Sequence, residues 1–536
     1  MLYLREFKRH PDRLSDLLPW AALVAPGVVL NKDGAFQATL SFRGPDLDSA
    51  TEAELMSAAF RINNVLRRLG SGWAIYAEAR RSEARSYPQS QFPDAVSYLI
   101  DEERRLLFEQ IAHFESEYFL SLVYLPHPEK VQRIGAQFVE RSAERGGYAE
   151  ELTYFQDEIT RIADLLETVI PEVARLSDEE ILTYLHSVVS ERAHCVRVPE
   201  VPMYLDSMLC DSPLVGGFEP RLGRKFLSVV SVLGFPGKSQ PCILDRLDRL
   251  ACDYRWITRF ISLSTAEAEA ELQRYKRQWF AKRKSIATLL KETFFCTESV
   301  LADSDAVNKA LDADEALQEL GGEAAAFGYF TATVVLRDEA QDRLKGKARE
   351  VERVLNSLGF SARIETTNAL DAWLGTIPGN CRNNVRRPLL NTLNLAHLLP
   401  LSSLWAGPHE DAHLHGPALF FARTGGSTQF RFSLHSGDVG HTLVLGPTGA
   451  GKSVLLNLIE AQFRRYPDSQ VYVFDKGGSA KVLTFALGGD YYELGADASP
   501  VRFQPLSRID NAAELRWAND WICELLESEK VAVKSQ

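Results

Sequence analysis

Residues 446–453 read Gly-Pro-Thr-Gly-Ala-Gly-Lys-Ser, the spacing G-x-x-x-x-G-K-S. The chemistry such a run serves is the grip of a nucleoside triphosphate. Its glycines let the backbone curl so that successive N–H groups converge on phosphate oxygens. Lys452 brings a positive charge to the β- and γ-phosphates. The Ser453 hydroxyl is placed to ligate a Mg²⁺ that bridges them. A helix that follows aims its positive N-terminus at the same anion. Gly446, Pro447, Thr448, Gly449, Ala450, Gly451, Lys452, Ser453 and Val454 are therefore the candidate ATP-binding residues, with Lys452 as the catalytic candidate and Ser453 as the metal ligand.

The loop needs a strand before it and a helix after it. His441–Leu445 (HTLVL) is a short β-rich run, and 454–466 (VLLNLIEAQFRRY) has helical character up to Pro467. A second apolar run, 471–475 (VYVFD), ends in Asp475 and leads to Gly477-Gly478, a tight-turn signal. Three roles stay open for Asp475. It is a polar residue at the nucleotide edge, a structural strand end, or the carboxylate that supports Mg²⁺. Lys476 stands where many ATPases carry a catalytic glutamate.

Other motifs weaken on inspection. Residues 234–239 (GFPGKS) hold a Gly-Lys-Ser, but Val232 occupies the first glycine position, so the loop is two residues short and reads as a turn. His409-Glu410-Asp411-Ala412-His413 matches H-E-x-x-H, with His415 as a possible third ligand. Zinc chemistry needs both histidines on one helix face. Gly407-Pro408 and Gly416-Pro417 bracket the segment, so it reads as a polar connector. Arg274–Lys284 (RYKRQWFAKRK) interleaves cations with aromatics, a pattern that binds nucleic acid or lipid. It falls inside an amphipathic helix pattern and reads as a solvated face.

The remaining chain of 536 residues has ordinary globular composition, 45% hydrophobic and 25% charged, enough for about three domains. Its 60 Lys+Arg against 72 Asp+Glu leave −12, opposite to the sign expected of a protein that coats nucleic acid. Seven cysteines without CxxC spacing fit a reducing compartment. Leu18–Leu30 is broken by Pro19 and Pro26 and is too short to cross a bilayer, so any membrane attachment is peripheral.

Residues 1–175 read as α/β. Alternation at Phe36, Ala38, Leu40 and Phe42 predicts a half-buried strand. Ser49 and Glu52 form a capping box for a helix through Leu69, with Gly70 as its C-terminal cap. A strand at 73–77, a helix at 94–111, a strand at 117–125 and a helix at 149–169 follow. Residues 176–400 form a second α/β region. Ser177/Glu180 and Ser264/Glu267 open helices, the latter running to about Glu292. Residues 226–235 and 328–336 are strands, 338–358 a helix ended by Gly359, and 360–365 a strand. That order predicts a parallel or ferredoxin-like layer. No internal repeat has a fixed period. Residues 401–536 begin with a connector and continue into the Gly-rich loop.

The combined landmarks resemble one family. Asp438–Ser453, Phe474-Asp475-Lys476-Gly477-Gly478-Ser479, Ala486–Tyr492 and the upstream Gly375-Thr-Ile-Pro-Gly-Asn380 are similar to the TrbE/VirB-type ATPases of conjugal transfer and type IV secretion. The opening residues 1–36 look like a TrbE amino terminus. The resemblance implies α+β amino-terminal domains followed by a partial RecA-like P-loop domain. It implies ATP and Mg²⁺ as cofactors, and a motor that energises channel and pilus assembly. It further implies homo-oligomers, other channel subunits as partners, and a cytoplasmic position peripheral to the bacterial inner membrane. Family members run well past residue 536, and no apolar strand ending in Asp-Glu occurs after the loop. The expectation is thus a chain that ends inside its motor domain, able to bind ATP but lacking the carboxylate that activates water. A DNA-translocating coupling-type ATPase and a non-hydrolytic ATP-dependent scaffold are the alternatives.

Overall fold

The computed structural model describes residues 13–46, 50–84, 87–126, 146–236, 239–282, 325–383, 385–401, 403–495, 501 and 503–531. They fall into two compact units. Unit 1 comprises Met1–Tyr87, Phe108–Pro408 and Phe421–Arg431, and unit 2 comprises Pro88–Leu107, His409–Phe420 and Phe432–Gln536. Residues 1–175 and 176–400 therefore contribute to one and the same sheet.

That sheet has 13 strands among the described residues. They are β1 (Trp20–Ala25), β2 (Val28–Asn31), β3 (Phe36–Arg43), β4 (Trp73–Glu83), β5 (Phe114–Tyr124), β6 (Glu172–Arg175), β7 (Leu214–Val215), β8 (Arg221–Leu222), β9 (Lys225–Gly234), β10 (Tyr254–Ser262), β11 (Phe327–Asp338), β12 (Ser361–Ile364) and β13 (Leu389–Asn391). The longer helices are α1 (Glu52–Leu66), α2 (Ala95–Glu109), α3 (Gly146–Glu167), α4 (Asp178–Val189), α5 (Thr265–Lys282), α6 (Gln341–Ser357), α7 (Lys452–Phe463) and α8 (Ala512–Ser528).

The pairings reveal a duplication that the sequence does not display. In the first half, β3, α1, β4, β5, α3 and β6 follow in the chain, and the sheet order is β6-β3-β5-β4. In the second half, β9, β10, β11, α6 and β12 follow, and the sheet order is β12-β9-β11-β10. Both are the ferredoxin-like arrangement, in which the first and fourth strands lie beside each other and the third separates the first from the second. The halves join edge to edge, with β4 antiparallel to β10 from Tyr254↔Arg81 to Ile261↔Ala74. Pairing edge to edge removes the exposed edge each half would otherwise present. The ferredoxin-like expectation for 328–365 is met, while all its ladders to β9 are antiparallel.

Both faces of the sheet are covered. On one face Phe36, Ala38, Leu40, Ile75, Ala77, Leu122, Val230 and Val334 meet α1, α3 and α6 through Ile62, Phe155, Ile159, Val351 and Leu355. On the other, Tyr76, Phe119, Val229, Ile257 and Val335 meet α4 and Trp373. Hence β3 is not half-buried as its alternation predicts, because its polar positions Gln37 and Thr39 are also buried. The first helix also starts later than predicted. Thr51 accepts the N–H of Glu54 and the Glu54 carboxylate accepts that of Thr51, forming the capping box, while Ser49 lies outside the described residues. Gly70 does not cap that helix, which ends at Leu66, and the left-handed residue is Gly72. The boxes at Ser177/Glu180 and Ser264/Glu267 form as read. The second of these helices is described to Lys282, and 283–292 lie outside the described residues.

The stretch 375–383 is held from several sides. Arg259 on β10 donates through Nη1 to the carbonyls of Gly375 (3.1 Å), Asn380 (3.1 Å) and Asn383 (2.9 Å). Trp20 Nε1 donates to Pro378 O at 2.9 Å. Gly379 takes φ +90°, and a Cβ there would lie 2.7 Å from both Asn31 Nδ2 and Gln37 Oε1, two buried side chains. A non-glycine residue in the left-handed region costs about 1–3 kcal/mol before any collision. Gly379→Ala is therefore expected to destabilise unit 1 by about 2 kcal/mol or more in urea unfolding. A loss below about 0.5 kcal/mol would mean that the loop re-forms without strain.

Candidate functional site

Unit 2 holds the Gly-rich loop. Ala450 N–H bonds to Pro447 O at 3.3 Å, and Gly449 (φ +80°) and Gly451 (φ +86°) take the left-handed conformation that glycine adopts without a Cβ clash. The loop is thus curled, and Gly451 is the N-cap residue of α7, which begins at Lys452. No side chain caps that helix, so its first-turn N–H groups are left for an external acceptor. Lys452 folds back across the loop, with Nζ donating to Gly446 O (2.8 Å) and Pro447 O (2.7 Å). Ser453 is exposed on the first turn, and Val454 is 74% exposed. Residues 446–454 thus form a curled loop that leads into the uncapped first turn of α7.

An anion with bound Mg²⁺ fits this donor set. Uncapped helical amides and an ammonium supply positive charge, while one hydroxyl at the helix start supplies an oxygen ligand. Asp475 does not join them. Its carboxylate accepts N–H bonds from Gly477 and Ala480 (2.9 Å each) and the Ser479 hydroxyl at 3.2 Å. Hydrogen bonds from Ala480, then Gly477, hold its pKa below the usual carboxylate range. Asp475 fixes the turn into the short helix Lys481–Ala486, and Gly478 takes φ +67° there. The observed bonds are structural ones within the turn 475–480, and 471–475 is not a strand among the described residues. That turn rests on α7 through Asn457 Nδ2, which donates to Ser479 O at 3.1 Å.

The flanking strands do not form as predicted. Among the described residues neither 441–445 nor 471–475 has a ladder partner. Leu443 (80%), Leu445 (81%) and Phe474 (97%) are exposed. The β-rich composition is there, but strand structure depends on a neighbour to pair with.

The H-E-x-x-H run is a turn and not a helix. Glu410–Asp411 pairs with Gly416–Pro417 in a two-residue ladder, and His415 takes φ +49°. Asp411 Oδ1 accepts the N–H groups of His413 (3.1 Å) and Leu414 (3.0 Å), and its Oδ2 accepts the Ser433 hydroxyl. The His413 ring stacks on His435 at 4.5 Å. Among the described residues no group of three or more His, Cys, Asp or Glu is placed to hold a metal ion. In the short Gly-Lys-Ser segment, Gly237 and Lys238 lie outside the described residues, and Ser239 Oγ bonds to Asn394 and His397 at 2.8 Å. The basic stretch follows α5 to Lys282, and its last two residues lie outside the described residues.

Sequence reading missed two sets of charged residues with structural reach. One is the pair of Arg255 and Glu78 in the centre of the sheet. The other is the set around Arg465 at the far end of α7. Both join residues distant in the chain, so no local spacing could have disclosed them.

Comparison with known proteins agrees with the resemblance. Residues 27–131 match the family described as the type IV secretion system ATPase VirB4/TrbE, N-terminal domain. Residues 280–386 match the CagE, TrbE, VirB family, component of type IV transporter system. The chain is 38% identical over 563 residues to the conjugal transfer protein TrbE of Rhizobium radiobacter, covering 99% of this chain and 68% of that one. It is 23% identical over 540 residues to the type IV secretion system protein VirB4 of Bartonella quintana, covering 97% of this chain and 65% of that protein. It is 24% identical over 540 residues to VirB4 of Brucella suis, covering 94% and 62% respectively. The chain belongs to the VirB4/TrbE family of type IV secretion ATPases, and it spans about two thirds of the length of these relatives. Among the described residues no helix is long and apolar enough to cross a membrane.

Proposed function

We propose that this chain binds ATP with Mg²⁺ in the loop 446–453, as the nucleotide-binding part of a motor that energises conjugal transfer and type IV secretion. The observation that carries the reading is the curled loop, which opens an uncapped helix with Lys452 folded across it. The amides of Gly449–Val454 would hold the phosphates, Lys452, now on Gly446 O and Pro447 O, would supply the positive charge, and Ser453 would hold the metal. Bound Mg²⁺ supplies charge neutralisation of the triphosphate. Residues 401–536 are then the start of a RecA-like domain, whose strands 441–445 and 471–475 pair only in a more complete sheet. Residues 1–175 and 176–400 form the part that meets other channel subunits. The working form is a homo-oligomer at the cytoplasmic face of the inner membrane. No observation favours a DNA translocase, given the net charge of −12.

Titration with a fluorescent ATP analogue tests the reading. Binding is expected with a Kd of about 1–100 μM in Mg²⁺, weakened about 10-fold by a chelator. Absence of binding at millimolar nucleotide would remove the proposal. Binding that is indifferent to the chelator would remove the metal from it.

A further inference from the structure

Helix α7 carries the loop at one end and is buried at the other. Ser453 and Val454 are exposed, while Ile459, Glu460, Ala461 and Gln462 are buried. The buried end meets a segment from far away in the chain. Arg465, two residues past the helix, is fully buried and donates from Nη2 to Asp101 Oδ1 on α2 at 2.6 Å. The same nitrogen bonds to Gln462 Oε1 at 2.8 Å, and Nη1 donates to Ala418 O at 2.6 Å. Gln462 Nε2 reaches Ser97 O at 3.4 Å, and the guanidinium lies 5.5 Å over the Phe92 ring. Asp101 is 364 residues before Arg465, yet both belong to unit 2.

We propose that Arg465, Gln462 and Asp101 are positioning residues for the nucleotide site, clamping the base of α7 so that its open end presents the loop in one orientation. A helix of 12 residues is about 18 Å long. A tilt of about 10° at the clamped end therefore moves the loop by about 3 Å, and displacements of about 1 Å already spoil a phosphate-binding constellation. Toward the 475–480 turn, α7 makes the exposed Asn457–Ser479 hydrogen bond, against several hydrogen bonds at the clamp. A buried guanidinium cannot shed its charge, so loss of its carboxylate leaves an uncompensated ion where the helix needs a fixed base. The inference rests on the proposed nucleotide role of the loop but reads out separately from it.

Hydrogen exchange on the full chain provides the test, with Arg465→Met, Asp101→Asn and Arg465→Lys. In nucleotide-free protein, Arg465→Met and Asp101→Asn are expected to speed exchange across the hydrogen-bonded amides 455–460 of α7 by about 10-fold, with little change in α8 of the same unit. Arg465→Lys, which keeps the charge but loses the fork, is expected to fall between. A rise shared equally by 455–460 and α8 marks a merely structural role and overturns the proposal. So does faster exchange at 95–107 with 455–460 unchanged. Should Arg465→Met fail to fold, the same comparison is read on Arg465→Lys. Adding Mg-ATP then separates the two ideas. Wild-type protection at 446–456 reports nucleotide binding itself, and about 10-fold weaker affinity in the variants reports the clamp. If wild type gains no protection, the nucleotide reading fails while the exchange comparison still decides the clamp.

Discussion

Lys452→Ala is expected to weaken ATP binding by about 100-fold and to leave the thermal unfolding of the protein nearly unchanged. The two halves of that expectation have different sources. The ammonium bonds only to the carbonyls of Gly446 and Pro447, in an exposed part of the loop. Solvent-exposed bonds of this kind are readily replaced by water, so folding loses little when the side chain goes. A triphosphate has no such substitute. In the proposed mode it brings several negative charges to a loop whose backbone donors are neutral amides, and a hydrogen bond to a charged group is worth about 1.5–3 kcal/mol. Lys452→Arg is expected to bind weakly as well, because a planar fork does not replace a compact ammonium at a tight loop. Equilibrium titration with a fluorescent nucleotide beside a melting curve separates the two effects. Affinity of the alanine variant within about 3-fold of wild type would mean that the loop binds no triphosphate in the proposed manner.

The part of the site that the sequence discloses is the part set by local chemistry. Gly449 and Gly451 must be glycine because the backbone there is left-handed, and that demand is written at fixed spacing beside the lysine. Strands 36–43, 225–234 and 327–338, and the first half of 73–83, are legible because a buried sheet needs apolar residues in continuous or alternating runs. What escapes is set by pairing between distant segments. Ser49/Glu52 and Thr51/Glu54 have the same box spacing two residues apart, and spacing alone cannot choose between them. Gln37 and Thr39 look solvent-facing because alternation cannot report a second covering layer. The runs 441–445 and 471–475 carry strand composition without a partner, and composition says nothing of whether a neighbour exists. The duplicated ferredoxin-like topology is invisible for the same reason, since strand order is preserved while the residues that fill it differ. Arg465 and Asp101 are the extreme case, being two ordinary surface-type residues whose burial is decided by chain path alone.

The centre of the sheet carries the second large effect. Glu78 on β4 and Ile257 on β10 face each other where the two halves join. The Glu78 carboxylate takes a two-pronged bond from Arg255, with Nε to Oε1 and Nη2 to Oε2 at 2.7 Å each. It also accepts the Tyr184 hydroxyl at 2.9 Å, and Arg80 lies at 3.4 Å. Burial by itself would push the Glu78 pKa up, but the Arg255 charge and bonds, with Arg80 and Tyr184, overcome this and hold it at about 2. An ordinary glutamate in the unfolded chain titrates near 4.3. Because the folded value is the lower one, the pair's stabilisation is complete above about pH 4.3 and is lost as pH falls toward about 2. The loss over that window is on the order of 3 kcal/mol. Glu78→Ala is expected to destabilise unit 1 by about 3–5 kcal/mol at pH 7, since Arg255 is left charged, buried and without its carboxylate. That corresponds to a melting temperature lower by on the order of 10 °C. Replacing both partners by methionine is expected to recover most of the loss, because the cost lies in the orphaned charge and not in the absence of the pair. Unfolding measured from pH 7 down to pH 2.5 would show the wild type losing the acid-sensitive component and the double variant lacking it. An alanine variant as stable as wild type, or a double variant no better than the single, would show that the join between the halves does not depend on this ion pair.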